Sequence, residues 1–224
     1  METPRTLSLK SKAVITQRPD TIELSLKLSA EKKEYDDTMQ LIAKKVESLL
    51  SALEEAGFDK KDCKTASFNI DTRYEYHRDK NKDQQRKFAG YVASQNMILR
   101  FDMDMEKLSQ TLSAVSRSSA DPQINIRFTL KDKGAFTDRL LAEATKNALS
   151  RANLLAQAAG AKLGKLLRID YNWFEIEFTS STRLDDMQDL RTAVSGSSYI
   201  NTFEDLEPED ITAEDSVSFV WELL

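Results

Sequence analysis

Ala135-Phe-Thr-Asp-Arg-Leu-Leu-Ala-Glu-Ala-Thr-Lys-Asn-Ala-Leu-Ser-Arg-Ala-Asn-Leu-Leu-Ala-Gln-Ala-Ala-Gly160 is the strongest helical stretch of the chain. Phe136, Leu140, Ala144, Ala148, Ala152, Leu155, Ala156 and Ala159 recur at spacings of three and four, which gathers them on one stripe. At 1.5 Å per residue such a helix runs roughly 35 to 40 Å. Gly160 is its natural stop, because glycine takes the left-handed backbone of a helix end without strain. The stripe begins with large residues and turns alanine-rich, so its second half admits another backbone at close range.

On either side of this helix the chain alternates between strand and helix patterns. Thr6 to Ile15 alternates weakly and Thr21 to Ala30 cleanly, with Ile22, Leu24, Leu26 and Leu28 on one face. Pro19 and Asp20 lie between them, which predicts a hairpin of these two strands. A helix is predicted over Lys33 to Ala56, ended by Gly57, with Met39, Ile42, Val46, Leu49, Leu50 and Leu53 on its sheet-facing side. Thr65 to Tyr76 and Phe88 to Phe101 form a second predicted hairpin. The apolar-free stretch His77 to Lys87 is its solvated tip. Asp104 to Ser118 reads as a helix and Ile124 to Leu130 as a strand. Leu166 to Trp173 and Ser216 to Leu223 are the strands after the long helix. The fold class is therefore α+β: a largely antiparallel sheet with hairpins, one long alanine-rich helix and two further helices packed on the sheet. One domain over 1–224 is expected, with a division into 1–102 and 103–224 left open.

Composition narrows the function. A net charge of −5 and a pI near 5.2 argue against general nucleic-acid binding. One cysteine excludes an intrachain disulfide and a cysteine-built zinc cluster. No apolar run approaches the roughly 18 to 20 residues of a membrane span. No signal peptide is read at Met1-Glu2-Thr3-Pro4-Arg5, so the expected location is cytoplasmic as the chain is written, or periplasmic or secreted if a signal has been removed.

Charge is unevenly placed. The segment 175–210 holds ten acidic residues against two basic, while the tip 77–87 holds five basic against two acidic. Solvated loops account for both. The sharper expectation is that the basic tip of one subunit, through Lys80, Lys82 and Arg86, meets Asp185, Asp186, Asp189, Glu204 and Asp205 of its neighbour.

The residues of catalysis are thinly represented. His77 is the sole histidine and sits in the hydrophilic tip, where no base would be held in place. Cys63 has lysines nearby that favour a thiolate, yet no second cysteine resolves it, so it reads as inert. Asp102-Met103-Asp104-Met105-Glu106 lacks the glycine and distal glutamate of a calcium loop and reads as a helix cap. No phosphate-binding glycine loop is present, and Asp185-Asp186 shows no cleft for acid/base work. No cofactor and no metal is expected. Tyr171, Trp173 and Phe174 cluster as core or interface aromatics, with a ligand shelf as the alternative.

Taken in order, several pieces resemble the SIMPL domain family over nearly the whole chain. They are Asp20 with its strand, Gly57, Thr65 with Phe68 and Ile70, Gly90-Tyr91-Val92-Ala93, and Phe128-Thr129-Leu130-Lys131-Asp132. The long helix through Gly160 to Gly164 and Ser216 to Trp221 complete the set. The resemblance implies an α+β fold that builds ring-like or channel-like oligomers in bacterial surface and periplasmic members. It also implies links to envelope or oxidative stress in bacteria and a kinase-associated adaptor in animal members. It brings no catalytic residues. Pro208-Glu209-Asp210 stands where members often have Pro-Gly. The expected protein is a non-enzymatic homo-oligomer, a scaffold or stress-related interaction protein. A small-ligand binder or enzyme with a site near Tyr171, Trp173 and Phe174 is the alternative.

Overall fold

The computed structural model describes residues 5–78, 84–171, 176–182 and 206–224. Within them the α+β class holds, in two compact units rather than around a single sheet.

The first unit draws on residues 1–19, 129–181 and 209–224. Strand β1 (Thr6–Gln17) pairs antiparallel along its whole length with a strand from the far end of the chain, Ile211–Leu223. The sheet is completed by Leu163–Asp170 on the other side of that strand. The long helix, Lys133–Ala158, packs mainly over the first two of these strands. It starts where the Asp132 carboxylate accepts a hydrogen bond from the Ala135 N–H at 2.8 Å and stops at Gly160, whose φ is 69°. Its buried residues are Phe136, Leu140, Ala144, Ala148, Ala152 and Ala156, an unbroken row at intervals of four. Leu155 and Ala159, expected on the stripe, are exposed. The reason is geometric: rows at i, i+4 incline about 26° to the helix axis, so a packing line that follows one leaves the i+3 neighbours on its flank. The small residues of the row let the helix lie close to Ala13, Ala213 and Val217, with Phe219 stacked on Trp221 beside them.

The second unit draws on residues 20–128 and 182–208. Strand β2 (Thr21–Lys32) lies next to β4 (Gln84–Asp102), which pairs on its other side with β3 (Cys63–Arg78). Strand β5 (Gln123–Thr129) flanks β2. The remaining strands, Leu163–Asp170 and Ile211–Leu223, are β6 and β7. Helices α1 (Tyr35–Glu55) and α2 (Met105–Arg117) precede the long helix, α3. Ile22, Leu24, Leu26 and Leu28 are completely buried on the face predicted, against Ile42, Leu49 and Leu53 of α1. Both β4 and α2, which adjoin the division considered at 102–103, belong to this unit.

The predicted hairpin of β1 and β2 does not form. The link Arg18-Pro19-Asp20 has no glycine or asparagine for the positive φ that a tight hairpin turn demands, and Pro19 offers no N–H. Instead the Asp20 carbonyl accepts the Met103 N–H at 2.9 Å, which ties the start of β2 to the end of β4. The β3–β4 hairpin does form, and its pairing runs further into the polar stretch than predicted, to Arg78↔Gln84. Antiparallel pairing is held by its backbone ladder and needs no apolar alternation.

Candidate functional site

Strand β4 is longer than its neighbour. β2 accompanies it only as far as Lys32↔Tyr91, and beyond that point β3 and β4 pair with each other alone, as a projecting arm. At the root of the arm the register shifts between Arg73↔Gly90 and Tyr74↔Phe88, so Ala89 has no partner. This bulge re-aims the side chains. Leu99, Met97, Ala93 and Tyr91 alternate toward the core, and the extra residue brings Phe88 onto that side in place of Ala89. The bulge requires glycine at position 90. Its φ is 150°, and a Cβ there would sit 2.4 Å from the Lys32 carbonyl oxygen.

The arm therefore continues the apolar face of the sheet as a row of aromatic rings. Tyr35, the first residue of α1, meets Tyr91 edge-on with centroids 5.6 Å apart, and Tyr91 meets Phe88 at 5.3 Å. Phe88 meets Tyr74 at 5.9 Å, and the Arg86 guanidinium lies 3.6 Å from the Tyr74 ring centroid. Tyr35 and Phe88 are exposed, as is Phe68 further down β3. On the arm's margin Arg73 is ion-paired with Glu31.

In the first unit the open surface is β6, an edge strand whose register against β7 shifts twice. Leu166 and Ile169 stand opposite Trp221 and Phe219, yet Ile169 is 54% exposed because α3 packs chiefly over β1 and β7. Leu167 is 51% exposed, and on α3 Leu149, Leu154 and Leu155 also face outward, Leu154 at 68%.

Tyr171, half-buried, donates its hydroxyl proton to the Asp215 carboxylate at 2.9 Å, and the other carboxylate oxygen accepts the Ser216 N–H. Desolvation, then the hydrogen bond and the negative charge of Asp215, push the phenol above its ordinary range. The ring packs against the core of the first unit. Burial pushes the Cys63 thiol up to about 11, the opposite of what a reactive thiolate needs. Asp104 caps α2, accepting the Lys107 N–H at 2.9 Å, as read from sequence. Among the described residues no three His, Cys, Asp or Glu side chains gather at metal-binding spacing.

Of the charged residues singled out in the sequence, Arg86 is on the arm, stacked on Tyr74. Lys80, Lys82, Asp185, Asp186, Asp189, Glu204 and Asp205 lie outside the described residues, as do Trp173 and Phe174. The aromatic row escaped the sequence reading because its members are distant along the chain and Phe88 is out of phase with Tyr91 until the bulge is known. The one available signal was Gly90 within an otherwise strand-like run. Asp215 was missed because the predicted strand began one residue later, at Ser216, which left the carboxylate in the acidic stretch ahead of it, although the observed alternation of β7 turns it inward.

The sequence profile of the SIMPL family, described as a protein of unknown function (DUF541), matches residues 7–221. The chain is 24% identical over 166 residues to the 26 kDa periplasmic immunogenic protein of Brucella melitensis, a match that covers 74% of this chain and 66% of that protein. It spans just under two thirds of the length of this relative. The protein of the same name from Brucella abortus is 23% identical, again over 74% of this chain and 66% of its own. An uncharacterized protein YggE of Edwardsiella ictaluri is 22% identical over 205 residues, 92% of this chain and 81% of its own.

Proposed function

The chain belongs to the SIMPL family, and on that premise we propose that it is a non-enzymatic, self-assembling protein of the periplasm that serves as a scaffold or stress-related interaction protein. The observation that carries the reading is the apolar surface of the first unit. Leu166, Leu167 and Ile169 on an edge strand, with Leu149, Leu154 and Leu155 on α3, are exposed large apolar residues of this unit. An open strand edge flanked by exposed leucines is costly in a lone molecule and is the usual mark of a partner surface. Periplasmic placement is supported by the Brucella relatives, which are named as periplasmic, and it replaces the cytoplasmic expectation.

Light scattering of the full chain at low and high salt tests assembly. A discrete oligomer that persists in salt, and is reduced by Leu167→Glu or Ile169→Glu, supports the apolar contact. A monomer near 25.4 kDa in every condition refutes self-assembly.

A further inference from the structure

An isolated two-stranded ribbon is marginally stable in water at best. The β3–β4 arm is such a ribbon beyond Tyr91, and its apolar side is exposed rather than polar. We propose that this aromatic side of the arm, formed by Tyr74, Phe88 and Tyr91 and edged by Arg86, docks the acidic segment around Asp185, Asp186 and Asp189 of a second copy of the chain. The proposal rests on the self-assembly reading and names one of its contacts.

Two complementarities select this occupant. The first is charge: residues 77–87 carry five basic against two acidic side chains, and residues 175–210 carry ten acidic against two basic. Opposed fields of this kind steer encounter and set register. The second is the mixture of groups. Leu184, Met187 and Leu190 are interspersed with Asp185, Asp186 and Asp189, so one stretch supplies apolar groups for the rings and carboxylates for the cations. Arg86 is prepared for the second task. Its guanidinium carbon lies 3.6 Å from the Tyr74 ring centroid, a contact that restrains a planar group suited to bidentate binding of a carboxylate. A lysine there would be held less firmly.

The test uses full-length chains with Arg86→Glu, and with Asp185→Lys, Asp186→Lys and Asp189→Lys together, followed by sedimentation and light scattering at 50 mM and 500 mM salt as chosen conditions. Arg86 is exposed, and unchanged circular dichroism verifies folding. Each variant alone is expected to self-associate about tenfold more weakly at low salt, and a 1:1 mixture to regain a complex containing both chains. Phe88→Ser is expected to weaken association in a salt-independent way. If the unaltered chain assembles and the arm variant assembles equally well, the docking proposal is overturned while self-assembly stands. Two variants that remain separate on mixing overturn it as well, since the contact would then not join two copies. An unaltered chain that is monomeric at both salts overturns both readings.

Discussion

Replacing Gly90 by alanine probes the root of the arm with a single carbon atom. Carbon and oxygen approach comfortably to about 3.3 Å, and the added Cβ would stand 2.4 Å from the Lys32 carbonyl oxygen, an overlap of roughly 0.9 Å. Lys32 C and Lys33 Cα follow at 3.0 and 3.1 Å. All three are backbone atoms at the end of β2, so no side chain can swing away. A non-glycine residue at a φ of 150° adds strain of its own. Strain of about 1 to 3 kcal/mol and overpacking of about 1 to 3 kcal/mol together predict a loss of roughly 2 to 6 kcal/mol. Gly57→Ala is the control: its φ is also positive, at 86°, but nothing lies within 4 Å of the added atom. It should cost only the left-handed backbone term, about 1 to 2 kcal/mol. In urea unfolding followed by circular dichroism, Gly90→Ala should lower the midpoint by roughly 1 to 3 M and Gly57→Ala by clearly less. Equal losses in the two variants would refute the argument that β2 and the bulge are in contact.

Three further outcomes follow from the core. Cys63 should resist thiol reagents at pH 8 until the protein is unfolded; its folded pKa near 11 lies above its ordinary 9.0, so the stability it contributes is complete below pH 9 and is lost as pH rises through 11. Unfolding free energies measured from pH 8 to 11 check the sign, and a rise in stability over that range would contradict it. Tyr171→Phe removes the hydroxyl donor to buried Asp215 and should cost about 1 to 3 kcal/mol, readable as a lower melting temperature. Ala148→Leu, in the fully buried row of α3, should cost about 1 to 3 kcal/mol or more by overpacking, whereas Asn153→Ala on the outer side should change stability by under about 0.5 kcal/mol. Calorimetry of the pair distinguishes the two faces of the helix.

What the sequence disclosed about this molecule depended on range. Local signals were sound: β2 buries Ile22, Leu24, Leu26 and Leu28, Asp104 caps α2, and Gly57 and Gly160 end their helices with positive φ. Partner choice was harder to read. β1 and β2 are separated by three residues and look like a hairpin, but strand patterns carry no address, and β1 pairs with β7 instead. Likewise the site was legible as charge, with Arg86 marked, and illegible as shape. The aromatic row depends on a bulge that shifts phase by one residue, and a period-two pattern cannot reveal which residue is skipped.

The pairing of β1 with β7 also governs when the molecule can become complete. Thr6 faces Glu222, so about 200 residues must be synthesised before β1 meets its partner. The described strands and helices of the second unit lie within residues 21–129, so they can begin to pair much earlier. During that interval β1 is a strand without a ladder, dependent on whatever holds nascent chains apart. The sheet of the first unit thus acts as a late clasp, and damage to residues 211–223 should leave a species with one unit folded and β1 open to the wrong partner.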